Sequence, residues 1–343
     1  MTAITLPIRR PDPLKTWRLA SFGVAWLALC GAVLDLKLIG HAFGDATVYW
    51  QAWHGPLYSA VVQLWLLHFN YAPVTALAFW PLAQLPETTF VIVWTAMGTA
   101  AYVWLLAPLP LPARLPAIAA GFLFSLNGNI EWVLALVAVY GLRWPALWLV
   151  ALFTKVAPFV GFGWFVIRGE WRSVAWTAGF GVALVAISAV LLPGTWPTWL
   201  GMLGTLASQT EAANTLNPLL PPIPFVARAL VAVVLVWWGA RSNRPVVLPF
   251  VLALCQPDWQ PWAFGFLAAV PRLLRPPVPV ERDDLVSRTD ASSQPGSLML
   301  IHEPALTAAP RGAGSFDTDA LPMPMPMPCV RTVAGDHHGV ASE

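Results

Sequence analysis

The chain has 343 residues, 57% of them hydrophobic and only 10% charged, with a formal net charge of +2. That composition excludes a soluble globular domain and points to a polytopic membrane protein. The charge is unevenly divided: residues 1–276 are basic by 7 and residues 277–343 acidic by 5, which separates a membrane body from a tail.

Arg9, Arg10, Lys15 and Arg18 precede a long apolar run from about Trp17 to Gly40. Basic residues before a first span place the N-terminus in the cytoplasm. The run has no clear small-x-small cleavage site and is read as an uncleaved anchor, with Asp35 and Lys37 near its outer end. Residues 41–72 follow as a semi-polar outer segment, including a short amphipathic piece at 59–69 suited to the interface. Further apolar stretches lie at about 74–86, 88–107, 114–126, 130–142, 145–167, 173–192, 225–240, 246–257 and 262–272. Several are shorter than the roughly 20 residues that cross a bilayer. Counting all of them predicts an all-α fold of about ten transmembrane helices with both termini cytoplasmic. The pairs Arg168/Arg172, Arg241/Arg244 and Arg272/Arg275 then fall inside, whereas merging 114–142 into one broken span would put them outside. Residues 194–224 form a second outer segment. The chain turns Pro-, Ser- and acid-rich near Pro276, and 277–343 reads as a disordered cytoplasmic tail.

Ionisable residues in or near the spans are few and are functional candidates: Asp35, Lys37, Asp45, Glu131, Lys155, Glu211, Arg228 and Asp258. Asp45 opens the outer segment after Gly44, with Tyr49 and Tyr58 downstream. Its carboxylate suits a general base for a hydroxyl arriving at the outer face, or the cap of a short helix over Ala46–Trp53. Lys155 stands mid-span, too deep to snorkel, facing a polar cavity, an anion such as a lipid phosphate, or Glu131. The amides of Asn127-Gly128-Asn129 interrupt two apolar stretches as a cavity lining or a plain turn.

His41, His54 and His68, spaced by 13 and 14 residues, match no local metal motif and read as interfacial histidines. The 20 tryptophans fit interfacial belts and helix packing, or sugar-stacking faces. The three cysteines suggest neither a disulfide framework nor a metal site. No P-loop, dinucleotide fingerprint or Gly-x-Ser-x-Gly is present, so nothing calls for a cofactor, a metal or a nucleic-acid partner.

Four segments, in order, carry a resemblance. They are Gly44-Asp45-x3-Tyr49-x2-Ala52 with Gly55-Pro56-Leu57-Tyr58; Phe69-x-Tyr71-x-Pro73 continuing through Ala76-Leu77 to Pro81-Leu82-Ala83-x-Leu85-Pro86; Asn127-Gly128-Asn129; and Lys155-x2-Pro158 followed by Arg168-x3-Arg172. Together they resemble glycosyltransferase family 87, GT-C-type membrane enzymes similar to mycobacterial polyprenol-phosphate-mannose-dependent mannosyltransferases. The resemblance implies many membrane helices with interfacial helices on the outer face. It also implies a bacterial cell-membrane location, a polyprenyl-phosphate sugar donor, a lipid or glycan acceptor and an inverting transfer. On that resemblance Asp45 would be the base and Lys155 the lysine at the donor phosphate; Arg228, from the ionisable candidates, would join Lys155 there. Tyr49, Tyr58, Tyr71, Asn127 and Asn129 would line the substrate site. Where the family often carries Pro-x-x-Trp-x-His, this chain has Gln256-Pro257-Asp258-Trp259-Gln260-Pro261-Trp262, without the histidine. The alternatives are a transporter or flippase of a lipid-linked or small polar substrate, and a GT-C-like scaffold without catalysis.

Overall fold

The computed structural model of the chain describes residues 13–39, 44–58, 69–215, 223–256 and 260–274. His41, His68, residues 59–68, Asn217, Asp258, Trp259 and the tail from 277 lie outside the described residues, as do the side chains of Asp35, Lys37, Glu211 and Asn214. The chain divides into two units, Met1–Val278 and Pro279–Glu343, and every described residue belongs to the first.

All regular elements among the described residues are helical: α1 (Pro13–Ile39), α2 (Gly44–Gln51), α3 (Pro73–Ala83), α4 (Glu87–Leu106), α5 (Leu111–Leu126), α6 (Glu131–Tyr140), α7 (Trp148–Lys155), α8 (Gly163–Ile167), α9 (Trp171–Leu191), α10 (Thr195–Thr215), α11 (Phe225–Ser242), α12 (Leu248–Leu254) and α13 (Val270–Leu273). Stretches of 3₁₀ helix occupy Pro145–Leu147, Ala157–Phe162, Pro245–Val247 and Pro261–Ala269. Proline marks many of the starts. Pro73, Pro145, Pro245 and Pro261 each open their segment, where a missing N–H costs no hydrogen bond. Asn243 closes α11 in the left-handed conformation.

Four described stretches are long and apolar enough to cross a membrane: Thr16–Leu34 within α1, α4, α9 and α11. Other apolar helices, such as α3, α5 and α6, have 10–17 residues, short of the roughly 20 that span a bilayer. Where the sequence suggests only an outer segment at 194–224, the chain forms the 21-residue helix α10. The outward faces are apolar: on α9, Trp176, Val182 and Val190 are largely exposed, which suits lipid rather than water.

α6 lies at the centre, against α4, α7, α12 and the 261–269 helix, with α2 packed on α3 and α4. The single expected span over 145–167 is broken. Pro158 has no N–H to give the Thr154 carbonyl, so α7 stops at Lys155 and the chain continues as 3₁₀ helix. The Phe153 carbonyl instead accepts the Ala72 N–H at 2.8 Å and the Thr75 hydroxyl at 2.9 Å. The break therefore latches the Tyr71–Pro73 loop to the helix end that carries Lys155.

Candidate active site

The site is built at helix ends. α5 ends with the Asn127 N–H on the Leu123 carbonyl (3.1 Å), and Gly128 turns the chain at φ +86°. A Cβ on Gly128 would lie 2.4 Å from the Ala46 backbone nitrogen, so α2 rests directly on this turn. The Trp94 indole donates to the Gly128 carbonyl at 2.8 Å, and the Asp45 N–H to the Asn127 carbonyl at 3.3 Å. Three residues after the turn Glu131 begins α6, where the helix dipole favours a carboxylate; Lys155 ends α7, where it favours a cation.

These placements assemble one buried polar chain. The Asn129 amide is assigned the orientation in which its nitrogen faces two carboxylates. It then donates to Asp45 Oδ2 at 2.5 Å and to Glu131 Oε2 at 3.2 Å, while its oxygen accepts from Asn127 Nδ2 at 3.2 Å. The other Glu131 oxygen, Oε1, accepts from Lys155 Nζ at 2.6 Å and from Gln256 Nε2 at 2.9 Å. Glu131 and Gln256 have no exposed surface, Asn129 is 4% exposed and Asp45 is half-buried. The Asp45 carboxylate thus sits at a partly accessible end of a run whose middle, Asn129 and Glu131, is enclosed, and Lys155 at the far end keeps 11% of its side chain exposed.

Tyrosines close one side. The Tyr49 and Tyr71 hydroxyls share a hydrogen bond at 2.9 Å, and the Tyr58 hydroxyl donates to the Tyr71 carbonyl at 2.8 Å. Tyr49 stacks on Phe79 and meets Trp94 edge-on, which fixes its ring. The Tyr71 hydroxyl feels the charges of Lys155, Asp45 and Glu131 together.

Asp45, Tyr49, Tyr71, Asn127, Asn129 and Lys155 are therefore brought to one place, and Tyr58 joins them through the Tyr71 backbone. Of the alternatives for Lys155, the Glu131 pair is present. Asp45 is the second residue of α2 and turns its carboxylate to Asn129. Arg228 stands behind Gln256: Nη1 donates to the Leu254 carbonyl at 3.1 Å and the Gln256 carbonyl at 2.6 Å, and Nε to the Ile223 carbonyl at 3.1 Å. Replacing Arg228, itself 1% exposed, with methionine strips those carbonyls of a charged donor, and we expect a loss of about 2–4 kcal/mol, measured by thermal unfolding of the purified protein. His54 lies apart, exposed and stacked on Trp50.

Gln256 and Tyr102 belong to the site without having been singled out as site residues from the sequence. Tyr102 places its hydroxyl beside Gly265 and senses the Glu131 charge. Gln256 had one usable signal, a lone amide closing an apolar run just before Pro257.

The sequence profile of glycosyltransferase family 87 matches residues 69–256, more than half of the chain. The match holds Tyr71, the Asn127–Glu131 turn, Lys155, Arg228 and Gln256, while Asp45, Tyr49 and Tyr58 precede it. No curated protein and no solved structure matches the chain.

Proposed function

The chain belongs to glycosyltransferase family 87, and on that premise we propose that it moves a mannose-type hexose from a polyprenyl-phosphate donor to a hydroxyl of a lipid or glycan acceptor, with inversion. In this reading the reaction takes place at the outer face of a bacterial cell membrane. The chain crosses about ten times, with both termini and the tail from 277 cytoplasmic.

The observation that supports the reading best is the polar run itself. It has a half-buried carboxylate, Asp45, at one end and a lysine ammonium, Lys155, at the other, joined through Asn129 and Glu131. A lipid-linked donor needs both: a base for the incoming hydroxyl and a cation for the outgoing phosphate. The acceptor oxygen attacks the anomeric carbon from the face opposite the phosphate. The bond from that carbon to the phosphate oxygen breaks, its electron pair stays on the phosphate, and the acceptor proton passes to Asp45. The departing phosphate already carries charge and needs no acid. Lys155, fixed in a low-dielectric setting, stabilises the charge that grows on it. Arg228 adds positive potential from behind Gln256. Tyr49, Tyr58, Tyr71 and Asn127 line the place where sugar and acceptor meet, and Asn129 faces it through Asp45.

A well-placed base contributes about 10²–10⁴ in rate. Asp45→Asn keeps the size and the backbone contact to Asn127, so transfer from polyprenyl-phosphate mannose should fall by that factor while the melting temperature holds. Near-normal transfer by this variant would remove Asp45 from the role of base. Substrate movement across vesicles without a new glycosidic bond would replace the enzyme reading with a transporter.

A further inference from the structure

Asn129 spends its amide nitrogen on two carboxylates at once, Asp45 on α2 and Glu131 on α6. We infer that Asn129 is a positioning residue that holds the Asp45 carboxylate in its working orientation, and that Asn129 and Glu131 set the proton affinity of Asp45 in opposite directions. This rests on the reading of Asp45 as the base.

The geometry carries the argument. Asp45 lies in the first turn of an eight-residue helix, too short to hold a side chain by itself. Two of its fixed points are the backbone bond to Asn127 and the 2.5 Å contact from the Asn129 amide. Asn129 is in turn fixed from both sides, by Asn127 Nδ2 on its oxygen and by Glu131 on its nitrogen. Glu131 cannot swing away, because Lys155 and Gln256 hold its second oxygen. The base is therefore oriented by a three-residue strut that ends on a buried ion pair.

The signs follow from the chemistry of each neighbour. An N–H donated to a carboxylate favours its charged form, whereas a second carboxylate nearby disfavours it. The groups facing this part of the site are Glu131 from α6, Lys155 from α7, Tyr71 from the loop before α3, and Tyr49 from α2 itself. Of the helices packed on α2, α3 has no charged residue and α4 only Glu87, at its first position.

The test uses the full-length protein in lipid nanodiscs with polyprenyl-phosphate mannose, and follows kcat/KM against pH. The acidic limb of that profile reports the ionisation of the free enzyme's base. Asn129→Ala should move the limb to higher pH and lower kcat about tenfold, with the donor KM within about threefold. Glu131→Gln keeps an oxygen for Lys155 and should move the limb to lower pH, by about one unit. Opposite shifts support the inference. Limbs that stay at the wild-type pH, or that both move the same way, overturn it, even if both variants are less stable. If Asn129→Ala does not accumulate, Asn129→Ser, which fits the same space, is read in its place. Asp45→Asn run alongside separates the two levels: substantial residual turnover sinks the base itself, while a dead Asp45→Asn with unshifted limbs sinks only the strut.

Discussion

Lys155→Met should destabilise the protein by about 3–5 kcal/mol, the cost of stranding a buried charge. Glu131 has no exposed surface, and the Lys155 ammonium lies 2.6 Å from its Oε1. With that cation gone, Glu131 keeps the amides of Gln256 and Asn129, which are neutral. Neutral donors satisfy hydrogen-bonding capacity but cannot offset the desolvation of a full charge. The double variant Glu131→Gln/Lys155→Met should recover most of the loss, because removing both charges together leaves neither stranded. Thermal unfolding in detergent, read by tryptophan fluorescence, measures both. A single variant that melts with the wild type would show the pair to be unimportant for stability. In the proposed reading the double variant stays largely inactive although stable, since the Lys155 ammonium no longer meets the phosphate.

Gly128→Ala should cost at least about 10² in transfer rate, the scale expected when catalytic groups move by around an ångström. Two effects act together. At φ +86° an alanine is strained by about 1 kcal/mol or more, and its Cβ would press on the Ala46 backbone nitrogen at 2.4 Å. What it meets is backbone, which has no rotamer to yield, so α2 must lift. Lifting α2 stretches the Asp45 N–H bond to Asn127 and draws the carboxylate away from Asn129. Gly204→Ala is the matched control: it lies within α10 with nothing within 4 Å of a built Cβ, and should leave transfer unchanged. Equal activity of the two variants, per folded protein, would show that α2 tolerates displacement.

Much of this arrangement can be read in the residues, and the parts that cannot share a cause. Asp45, Glu131 and Lys155 stand out because a charge in an apolar chain is costly to keep, and that cost is local to each residue. The candidate pairing of Lys155 with Glu131 follows because so few opposite charges are available. Helix starts follow from proline for the same local reason. The function of Asn129 is different: its amide matters only because α2, which comes some 80 positions earlier, settles on the Gly128 turn. Gln256 is harder still, since its contact to Glu131 joins residues 125 positions apart. The break after Lys155 lies between. Pro158 announces it, but not that the released Phe153 carbonyl would be taken by Ala72 and Thr75. The ten-span expectation meets the same limit. Apolar length counts stretches, but it does not say which of the 10–17-residue apolar helices cross.

The separation of Glu131 from its partners also sets an order in time. The chain is made from its N-terminus, so Glu131 leaves the ribosome 24 residues ahead of Lys155 and 125 ahead of Gln256. During that interval α6 carries its carboxylate with neither of these two in place, and segments that arrive later must bring them. The cluster that would carry the chemistry therefore closes among the last events of assembly. A protein whose α12 fails to dock leaves the Glu131 carboxylate at its centre without the Gln256 amide.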